Sequence, residues 1–279
     1  MHHNGNDFVI VENLTKQIKF NHSLIKKLAD RNTGIGFDQL LIVGKPKSKK
    51  ANFNYKIFNN DGSEASQCGN GALCFAQYII ENALFKGKKL ILETISGFYE
   101  VIKINKKKYK VSMGKPSILS KYKNLSYEKT VKKFSLILNG NKVFFNLISI
   151  GNLHAIILLK SFDNSFIKNV GEALSGSEFI KGGANVNFVK IVDRNNISLR
   201  VFERGSGETL SCGSGSTASV IQLQNNKLLN SKINVKMPGG TLTVKKEKNS
   251  YFLIGQPKKI YDGILKADGN WKIYFTITK

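Results

Sequence analysis

The chain has 279 residues, of which 41% are apolar and 22% are charged, a composition typical of a globular protein with one large or two medium domains. Its three cysteines show no C-x-x-C spacing, which argues against a disulfide scaffold and against a structural zinc site. It has neither a run of about 18 apolar residues nor the basic and apolar segments of a signal peptide. We therefore expect a cytoplasmic protein with free thiols, no metal and no membrane partner.

The formal net charge of +24 invites a nucleic-acid interpretation, but the pattern of basic residues weakens it. Only four of the 43 basic residues are arginines, and arginine is the usual reader of base edges. The lysines are dispersed in short groups such as 47–50 and 106–108, which we place in loops and hairpin ends. We expect a small-molecule substrate and no nucleic-acid partner, and a homodimer is left open.

The first part of the chain predicts alternating strands and helices. A glycine turn leads into a β-branched strand at 5–11, and residues 21–23 can cap a helix over 24–30. The further elements expected are strands at 40–43 and 53–58, a helix over 72–82, and a meander at 90–93, 98–104 and 109–113. The helix over 72–82 is apolar almost all round, which predicts that it is buried.

The same order of elements returns in the second part of the chain. The elements expected there are a strand near 151–157, a helix over 165–174, a strand at 197–202, a buried helix over 216–225, and a meander at 233–237, 241–245 and 251–254. Strands at 135–138 and 143–148 lie in the crossover between the two parts, and the tail at 271–278 predicts a strand that returns to pair with the first domain. A repeat of this length indicates a duplicated domain.

The clearest part of the repeat is the stretch 58–74, which returns without a gap 144 positions later. Within it Cys68 matches Cys212, and each cysteine stands directly before a Gly-x-Gly turn. The third cysteine, Cys74, aligns with Ala218 inside the apolar helix. We therefore assign Cys74 to the core.

A helix that begins after Cys-Gly-x-Gly leaves its first N–H groups unpaired, and these groups with the helix dipole favour an anion such as a carboxylate. The same helix end lowers the pKa of a nearby thiol from its reference of about 8.5. One such unit also fits a glycine-rich cap with an inert cysteine. Two units around a pseudo-twofold axis would place Cys68 and Cys212 on opposite sides of one cleft. Inversion at a carbon centre needs a base on one face and an acid on the other, which a thiolate and a thiol supply.

These motifs resemble those of the diaminopimelate epimerase family over nearly the whole chain. The matching motifs are GNDF at 5–8, GIGFDQLL at 34–41, NNDGSE…CGNG at 59–71, GNLH at 151–154 and ERGSGET…CGSG at 203–215. The chain departs from the family pattern at His3 and Asn4, and at Leu153, which replaces a proline.

The resemblance implies an α/β fold of the α+β type with two pseudo-symmetric domains. Each domain would be a curved mixed sheet or barrel around a central helix that begins just after Cys68 or Cys212. We assign residues 1–116, together with the terminal strand at about 263–279, to one domain and residues 117–262 to the other, with the active site between them.

The resemblance also implies a cofactor-independent interconversion of LL- and meso-diaminopimelate, a step toward lysine and peptidoglycan precursors. Cys68 and Cys212 would be the acid/base groups, and His154 and Glu203 would tune them. The implied substrate contacts are Asn6, Gln39, Asn59, Gly69, Asn70, Asn152, Asn185, Glu203, Arg204, Gly213 and Ser214. Backbone N–H groups at the two helix ends would bind the α-carboxylate.

Several of these residues also fit structural roles. Asparagine is common at turns for backbone reasons, and Arg204 could form a surface ion pair. Two other functions therefore stay open. One is a proline or hydroxyproline racemase with the same fold, and the other is a basic nucleic-acid-binding protein on this scaffold.

Overall fold

The computed structural model describes residues 1–15, 18–122, 125–130, 132–138, 140–176, 179–267 and 273–278. Within these residues the chain forms four helices: α1 (His22–Ala29), α2 (Gly69–Glu81), α3 (Asn164–Ser175) and α4 (Gly213–Asn225). The cap predicted for α1 is confirmed, because Asn21 Oδ1 accepts a hydrogen bond from Leu24 N at 2.9 Å.

The predicted strands appear in the expected order, and the described residues contain seven further strands that the sequence pattern did not predict. The first half contains β1 (His2–His3), β2 (Asn6–Glu12), β3 (Gln39–Gly44), β4 (Phe53–Asn59), β5 (Glu64–Ala65), β6 (Lys89–Thr94), β7 (Gly97–Lys103), β8 (Tyr109–Ser112) and β9 (Ser117–Leu119). The second half contains β10 (Ser126–Glu128), β11 (Lys133–Leu138), β12 (Asn141–Ser149), β13 (Leu153–Leu158), β14 (Asn185–Asp193), β15 (Asn196–Glu203), β16 (Gly207–Thr209), β17 (Lys232–Met237), β18 (Gly240–Glu247), β19 (Ser250–Gly255), β20 (Asp262–Ala267) and β21 (Ile273–Thr278). The seven strands not predicted are β1, β5, β9, β10, β14, β16 and β20.

The two central helices begin just after Cys68 and Cys212, as the family resemblance implies, and three residues earlier than the apolar pattern alone predicts. Glycine has a low helix propensity, so the pattern placed their starts after the Gly-x-Gly turns. The packing explains the difference: a Cβ added at Gly69 or at Gly213 would lie 3.0 or 2.8 Å from the Leu253 side chain. The first helical turn is therefore formed by glycine because a neighbouring side chain fills the space.

One mixed sheet runs through both halves. The strand order is β2-β3-β4-β6-β7-β8 in the first half and β13-β14-β15-β17-β18-β19 in the second. In both halves the successive pairings are parallel, antiparallel, parallel, antiparallel and antiparallel. This agreement confirms the duplication. Because the sheet is continuous, the domain limits at 116 and 262 stay a prediction.

The halves are joined by antiparallel pairing of β8 with β19, in which Lys110 lies opposite Ile254. These two residues occupy equivalent positions in the repeat, 144 apart. Exchanging the two halves therefore leaves the pairing of β8 with β19 unchanged, as at an interface between two subunits related by a twofold axis. A pseudo-twofold axis passes by this residue pair and relates α2 to α4.

The largest hydrophobic cluster surrounds α2 and α4 and includes residues from both halves. In α2 the residues from Ala72 to Ala76 are fully buried, which confirms the predicted central helix. In α4 the buried hydroxyls of Ser216 and Thr217 donate to backbone carbonyls at 2.8 and 2.9 Å, so a more polar helix also fits inside. Two smaller clusters lie under α1 and α3.

The end of the chain pairs differently from our expectation. Strand β21 pairs antiparallel with β20 in a separate two-stranded sheet, rather than with the first domain, and residues 271–272 of the predicted tail strand lie outside the described residues. Neighbouring strands close only a short loop, which favours such a local pairing. The contact with the N-terminal strand is made before β20, where His2 and Lys258 exchange backbone hydrogen bonds of 2.9 and 2.8 Å. None of the helices described here is both long enough and apolar enough to cross a membrane.

Cys74 is fully buried in α2, and Ala218 fills the equivalent place in α4. Cys74→Ala should therefore lower the free energy of unfolding by only about 1 kcal/mol. Cys74→Leu should lower it by about 1–3 kcal/mol, because this core has no room for added methylenes. Urea unfolding followed by circular dichroism measures both values, and a leucine variant as stable as the alanine variant would contradict the close packing.

Candidate active site

Cys68 and Cys212 occupy the N-cap positions of α2 and α4. Each sulfur accepts a hydrogen bond from the backbone N–H three residues on, from Gly71 at 3.3 Å and from Gly215 at 3.4 Å. Side-chain oxygens usually occupy this position. A thiol here faces the positive end of a helix, which by itself lowers the pKa of the thiol. Burial outweighs this effect, so the pKa values of both cysteines are raised, contrary to our expectation.

The N-termini of the two helices meet. A Cβ at Gly213 would lie 3.2 Å from Asn70 Oδ1. The Asn70 Nδ2 group donates to the hydroxyl of Ser211, the residue before Cys212, at 3.3 Å. On its other side the Asn70 amide contacts His3, whose buried Nδ1 lies 2.9 Å from Asn70 Oδ1. Two helix ends that are far apart in the sequence are thus held side by side.

The Cys212 thiol is hydrogen-bonded to a carboxylate. Its sulfur donates to Glu203 Oε2 at 3.2 Å, while Thr209 Oγ1 donates to Glu203 Oε1 at 2.6 Å. Burial raises the pKa of Glu203, and the hydrogen bonds from Thr209 and Cys212 offset this only in part. Burial also raises the pKa of Cys212, and the Glu203 charge adds to this increase. Glu203 is therefore a better proton acceptor than an exposed carboxylate, at hydrogen-bond distance from a thiol.

Cys68 has a different environment. It is half-buried, and none of the described residues forms a carboxylate hydrogen bond with its sulfur. Burial raises the pKa of Cys68 to about 12, the Gly71 N–H lowers it, and the Glu203 charge raises it. Glu203 therefore contacts the Cys212 thiol directly, whereas it affects the pKa of Cys68 only through its charge. The two sides of the site are chemically unequal.

The second predicted tuning residue, His154, contacts asparagines. Its Nε2 lies 3.0 Å from Asn152 Oδ1, and its Nδ1 lies 3.1 Å from Asn187 Nδ2. Asn187 Nδ2 also donates to the carbonyls of Ala155 and Asn185, so this atom is assigned as nitrogen and His154 Nδ1 must accept. Burial lowers the pKa of His154 to about 3. His154 is thus a neutral imidazole with its proton on Nε2, and within the described residues it makes no hydrogen bond to a cysteine.

Asn6 is held by a group of ion-paired carboxylates. Its Nδ2 donates to Asp38 Oδ2 at 2.9 Å, and its Oδ1 lies 3.4 Å from Asn70 Nδ2. Arg31 bridges Asp38 and Asp7 with contacts of 2.9 Å. Burial alone would raise the pKa of Asp7, but hydrogen bonds from Arg31 and Asp38 leave it lowered. Because Asn6 Nδ2 donates to Asp38 and Asn6 Oδ1 faces Asn70 Nδ2, the Asn6 amide has one orientation.

Gln39 and Asn59 lie opposite each other on β3 and β4. Gln39 Nε2 donates to Asn59 Oδ1 at 2.9 Å, and Asn59 Nδ2 donates to Ser63 Oγ at 3.0 Å. The other amide oxygen, Gln39 Oε1, is buried and has no hydrogen-bond partner among the described residues. A buried acceptor of this kind is costly unless something donates to it.

Asn185 and Arg204 are joined in the second half. Asn185 Oδ1 accepts from the backbone N–H of Arg204 at 3.0 Å. The Arg204 guanidinium donates to the Gly182 carbonyl at 2.7 Å, and its side chain is exposed. Asn185 therefore fixes the backbone that carries the arginine.

Asn152 links the two halves. Its Oδ1 accepts from Gln67 Nε2 at 3.0 Å, and its Nδ2 donates to Ser214 Oγ at 3.3 Å. The Ser214 hydroxyl lies 3.4 Å from the Cys212 sulfur. Each candidate residue from the sequence therefore has a defined neighbour in the structure, and a substrate-binding role for any of them stays a prediction.

Sequence reasoning gave no role to several residues that the structure places in these contacts, among them Gln67, Ser211, Asn187 and Thr209. A signal existed for three of these: Gln67 and Ser211 directly precede the two cysteines, and Asn187 lies between the apolar residues Val186 and Phe188. Thr209 carried no such signal, because its contact with Glu203 depends on the β15–β16 hairpin.

Solved structures share this architecture. The chain is similar to a hydroxyproline epimerase from Agrobacterium vitis, with 12% identity, a TM-score of 0.71 and coverage of 99% of this chain and 90% of that chain. It is also similar to a probable proline racemase from Agrobacterium radiobacter, with 14% identity, a TM-score of 0.68 and coverage of 93% and 89%. A Bacillus anthracis phenazine biosynthesis protein of the PhzF family matches with 17% identity, a TM-score of 0.65 and coverage of 92% of each chain. These likenesses define the class, the mixed α/β fold of the epimerase and PhzF proteins.

The family follows from the sequence model described as diaminopimelate epimerase, which matches residues 1–119 and 146–260. The chain belongs to the diaminopimelate epimerase family. Both cysteines and all the motifs of the repeat lie inside the matched ranges. The resemblance inferred from the motifs is confirmed at the level of the family and of the epimerase fold.

The lowered pKa of His154 predicts a pH dependence of stability. The unfolded chain binds a proton at this residue below about pH 6.5 and the folded chain only below about pH 3, so stability should fall as pH drops through this window. The limiting slope from this one group is about 1.4 kcal/mol per pH unit. Urea unfolding between these pH values measures it. His154→Gln should remove this part of the slope, and an unchanged slope in that variant would contradict the buried neutral imidazole.

Proposed function

We propose that this protein epimerises diaminopimelate at an α-carbon by transferring a proton between Cys68 and Cys212, without a cofactor. The observation that carries the proposal is the meeting of two helix N-termini, each capped by a cysteine, with the Glu203 carboxylate hydrogen-bonded to one of the two thiols. Family membership supports the choice of reaction class.

The proton balance follows from the unequal thiols. Glu203 accepts the Cys212 proton, which leaves a thiolate that removes the α-proton of the substrate. The Cys68 thiol then delivers its own proton to the opposite face of the carbanion. One C–H bond breaks, one forms, and the proton that arrives is not the one that left. The step ends with a Cys68 thiolate, a Cys212 thiol and a protonated Glu203. Loss of the Glu203 proton to solvent and gain of a proton by Cys68 restore the starting state, and the reverse reaction begins from the Cys68 thiolate.

The raised thiol pKa values have a physical role in this scheme. Burial favours the protonated form of both cysteines, and a charged substrate changes that balance. The substrate ammonium group favours a nearby thiolate, while the helix N-termini at Gly69 and Gly213 favour the substrate α-carboxylate. Exclusion of water strengthens both effects.

The substrate class follows from the polar groups around the cysteines. Gln39 Oε1 offers a buried acceptor to an ammonium group, and Arg204 offers an exposed guanidinium to a distal carboxylate. A second amino-acid end on the substrate would use both, whereas proline has no such end. The groups around the site therefore support diaminopimelate over a cyclic imino acid.

Cys68→Ala and Cys212→Ala should each lower epimerisation of LL-diaminopimelate by more than about 10³-fold, because each removes one of two required acid/base groups. The measurement is meso product formation, together with deuterium incorporation at the α-carbon in D₂O. Cys74→Ala is the matched control and should retain activity, since Cys74 is fully buried in the core.

Proline and trans-4-hydroxyproline belong in the same assay. If the protein acts on either of these compounds and not on LL-diaminopimelate, the proposed substrate is wrong, but the two-cysteine mechanism still holds. Full activity of either cysteine variant would overturn the chemistry itself.

Glu203→Gln should change the pH profile as well as the rate. The variant keeps an acceptor for the Cys212 thiol but cannot take its proton, so kcat/KM should fall about 10²-fold or more. In the wild type, activity should fall as pH drops through the raised pKa of Glu203, above the reference of about 4.3. The variant should lose this acid limb. If the fall of activity at acid pH persists in Glu203→Gln, the titrating group is not Glu203.

A further inference from the structure

The Gln67 side chain, next to Cys68, has a single allowed orientation. Its Nε2 donates to the Ile150 carbonyl at 2.9 Å and to Asn152 Oδ1 at 3.0 Å, so this atom must be the nitrogen. Its Oε1 accepts from the hydroxyl of Tyr99. All the polar atoms of the Gln67 amide are therefore used, and reversing the amide would set an oxygen against two acceptors.

The backbone leaves room for this side chain by means of one glycine. Gly151 has a φ of +102°, which only glycine adopts readily. A Cβ added there would lie 2.7 Å from Gln67 Nε2. The glycine before Asn152 thus allows Gln67 to lie across the turn.

The contacts at Asn152 set the direction of its amide. Two N–H groups, from Gln67 and from His154 Nε2, point at Asn152 Oδ1. The Nδ2 group is therefore turned the other way, toward the Ser214 hydroxyl that lies 3.4 Å from the Cys212 sulfur. Without its two donors, the Asn152 amide could rotate and present an oxygen to Ser214.

We propose that Tyr99 and Gln67 form a clamp that positions the Asn152 amide in the active site, a role that rests on the proposed function of the site. Tyr99 and Gln67 belong to the first half and Asn152 to the second. The clamp therefore also links the two halves beside Cys68. Neither Tyr99 nor Gln67 touches the reacting atoms, so both are positioning residues.

Tyr99 is suited to act as the fixed donor. It is 9% exposed on β7, and burial raises its pKa to about 12, so it stays a protonated phenol over the working pH range. Loss of its hydroxyl would leave Gln67 Oε1 without a donor. The amide of Gln67, and with it that of Asn152, would then lose its unique orientation.

Tyr99→Phe removes one oxygen atom and tests the clamp with little change in shape. We expect Tyr99→Phe to lower kcat/KM about tenfold. Gln67→Leu should lower kcat/KM at least as much, because it removes the donor to Asn152. Tyr109→Phe is the control: Tyr109 is 1% exposed on the neighbouring strand β8, outside this set of contacts, and the variant should keep wild-type kinetics.

A double-mutant cycle separates positioning from a general structural effect. In the Asn152→Ala background, Tyr99→Phe should change kcat/KM by less than about twofold, because the residue through which it acts is gone. A full, additive loss in that background would overturn the clamp. So would wild-type kinetics for Tyr99→Phe in the unmodified background.

A second measurement does not depend on turnover. The side-chain amide hydrogens of Gln67 and Asn152, observed by ¹⁵N NMR, should exchange with solvent about tenfold faster in Tyr99→Phe than in Tyr109→Phe. Equal exchange in the two variants would overturn the clamp. If the wild type fails to epimerise diaminopimelate, the proposed function fails, and the NMR comparison still decides whether the clamp exists.

Discussion

The antiparallel pairing of β8 with β19 is the constraint on which the remaining structure depends. It joins two copies of the same fold edge to edge, in a register that maps onto itself when the halves are exchanged. The buried helices α2 and α4 then share one hydrophobic cluster. Because that cluster fixes both helices, their N-termini are brought together at Asn70 and Gly213. A shift in this one register would move the two cysteines relative to each other.

Duplication gives the site its two-sided geometry, and divergence between the halves gives it two different chemistries. The position of Asn59 in the first half is that of Glu203 in the second, and only Glu203 can accept a proton. Cys212 therefore has a buried base at 3.2 Å, whereas Cys68 has helix N–H groups as its neighbours. The contact with Glu203 therefore distinguishes the Cys212 thiol from the Cys68 thiol, although the two occupy equivalent positions in the repeat.

Burial makes the site sensitive to each hydrogen bond. His154, Asn187 and Asn70 have almost no exposed surface, so water cannot replace a partner that is lost. The polar groups satisfy one another across the junction between the halves, as Asn70 does with Ser211. The same contacts that orient the side chains also hold the two halves together. Loss of one of these hydrogen bonds should therefore affect both the orientation of the side chains in the site and the stability of the folded chain.

The sequence by itself determined the duplication, the order of strands and helices, the burial of α2 and the choice of Cys68 and Cys212 over Cys74. These features rest on local patterns and on the repeat, which a single chain displays directly. Only the tertiary structure decided that Glu203 bonds Cys212 while His154 bonds asparagines, and that the last strand pairs with β20. Such pairings depend on register, side-chain direction and burial between segments far apart in the chain, none of which leaves a periodic signal. The glycines at the starts of α2 and α4 are an example, because helix propensity argues against them and their close approach to Leu253 is visible only in the tertiary structure.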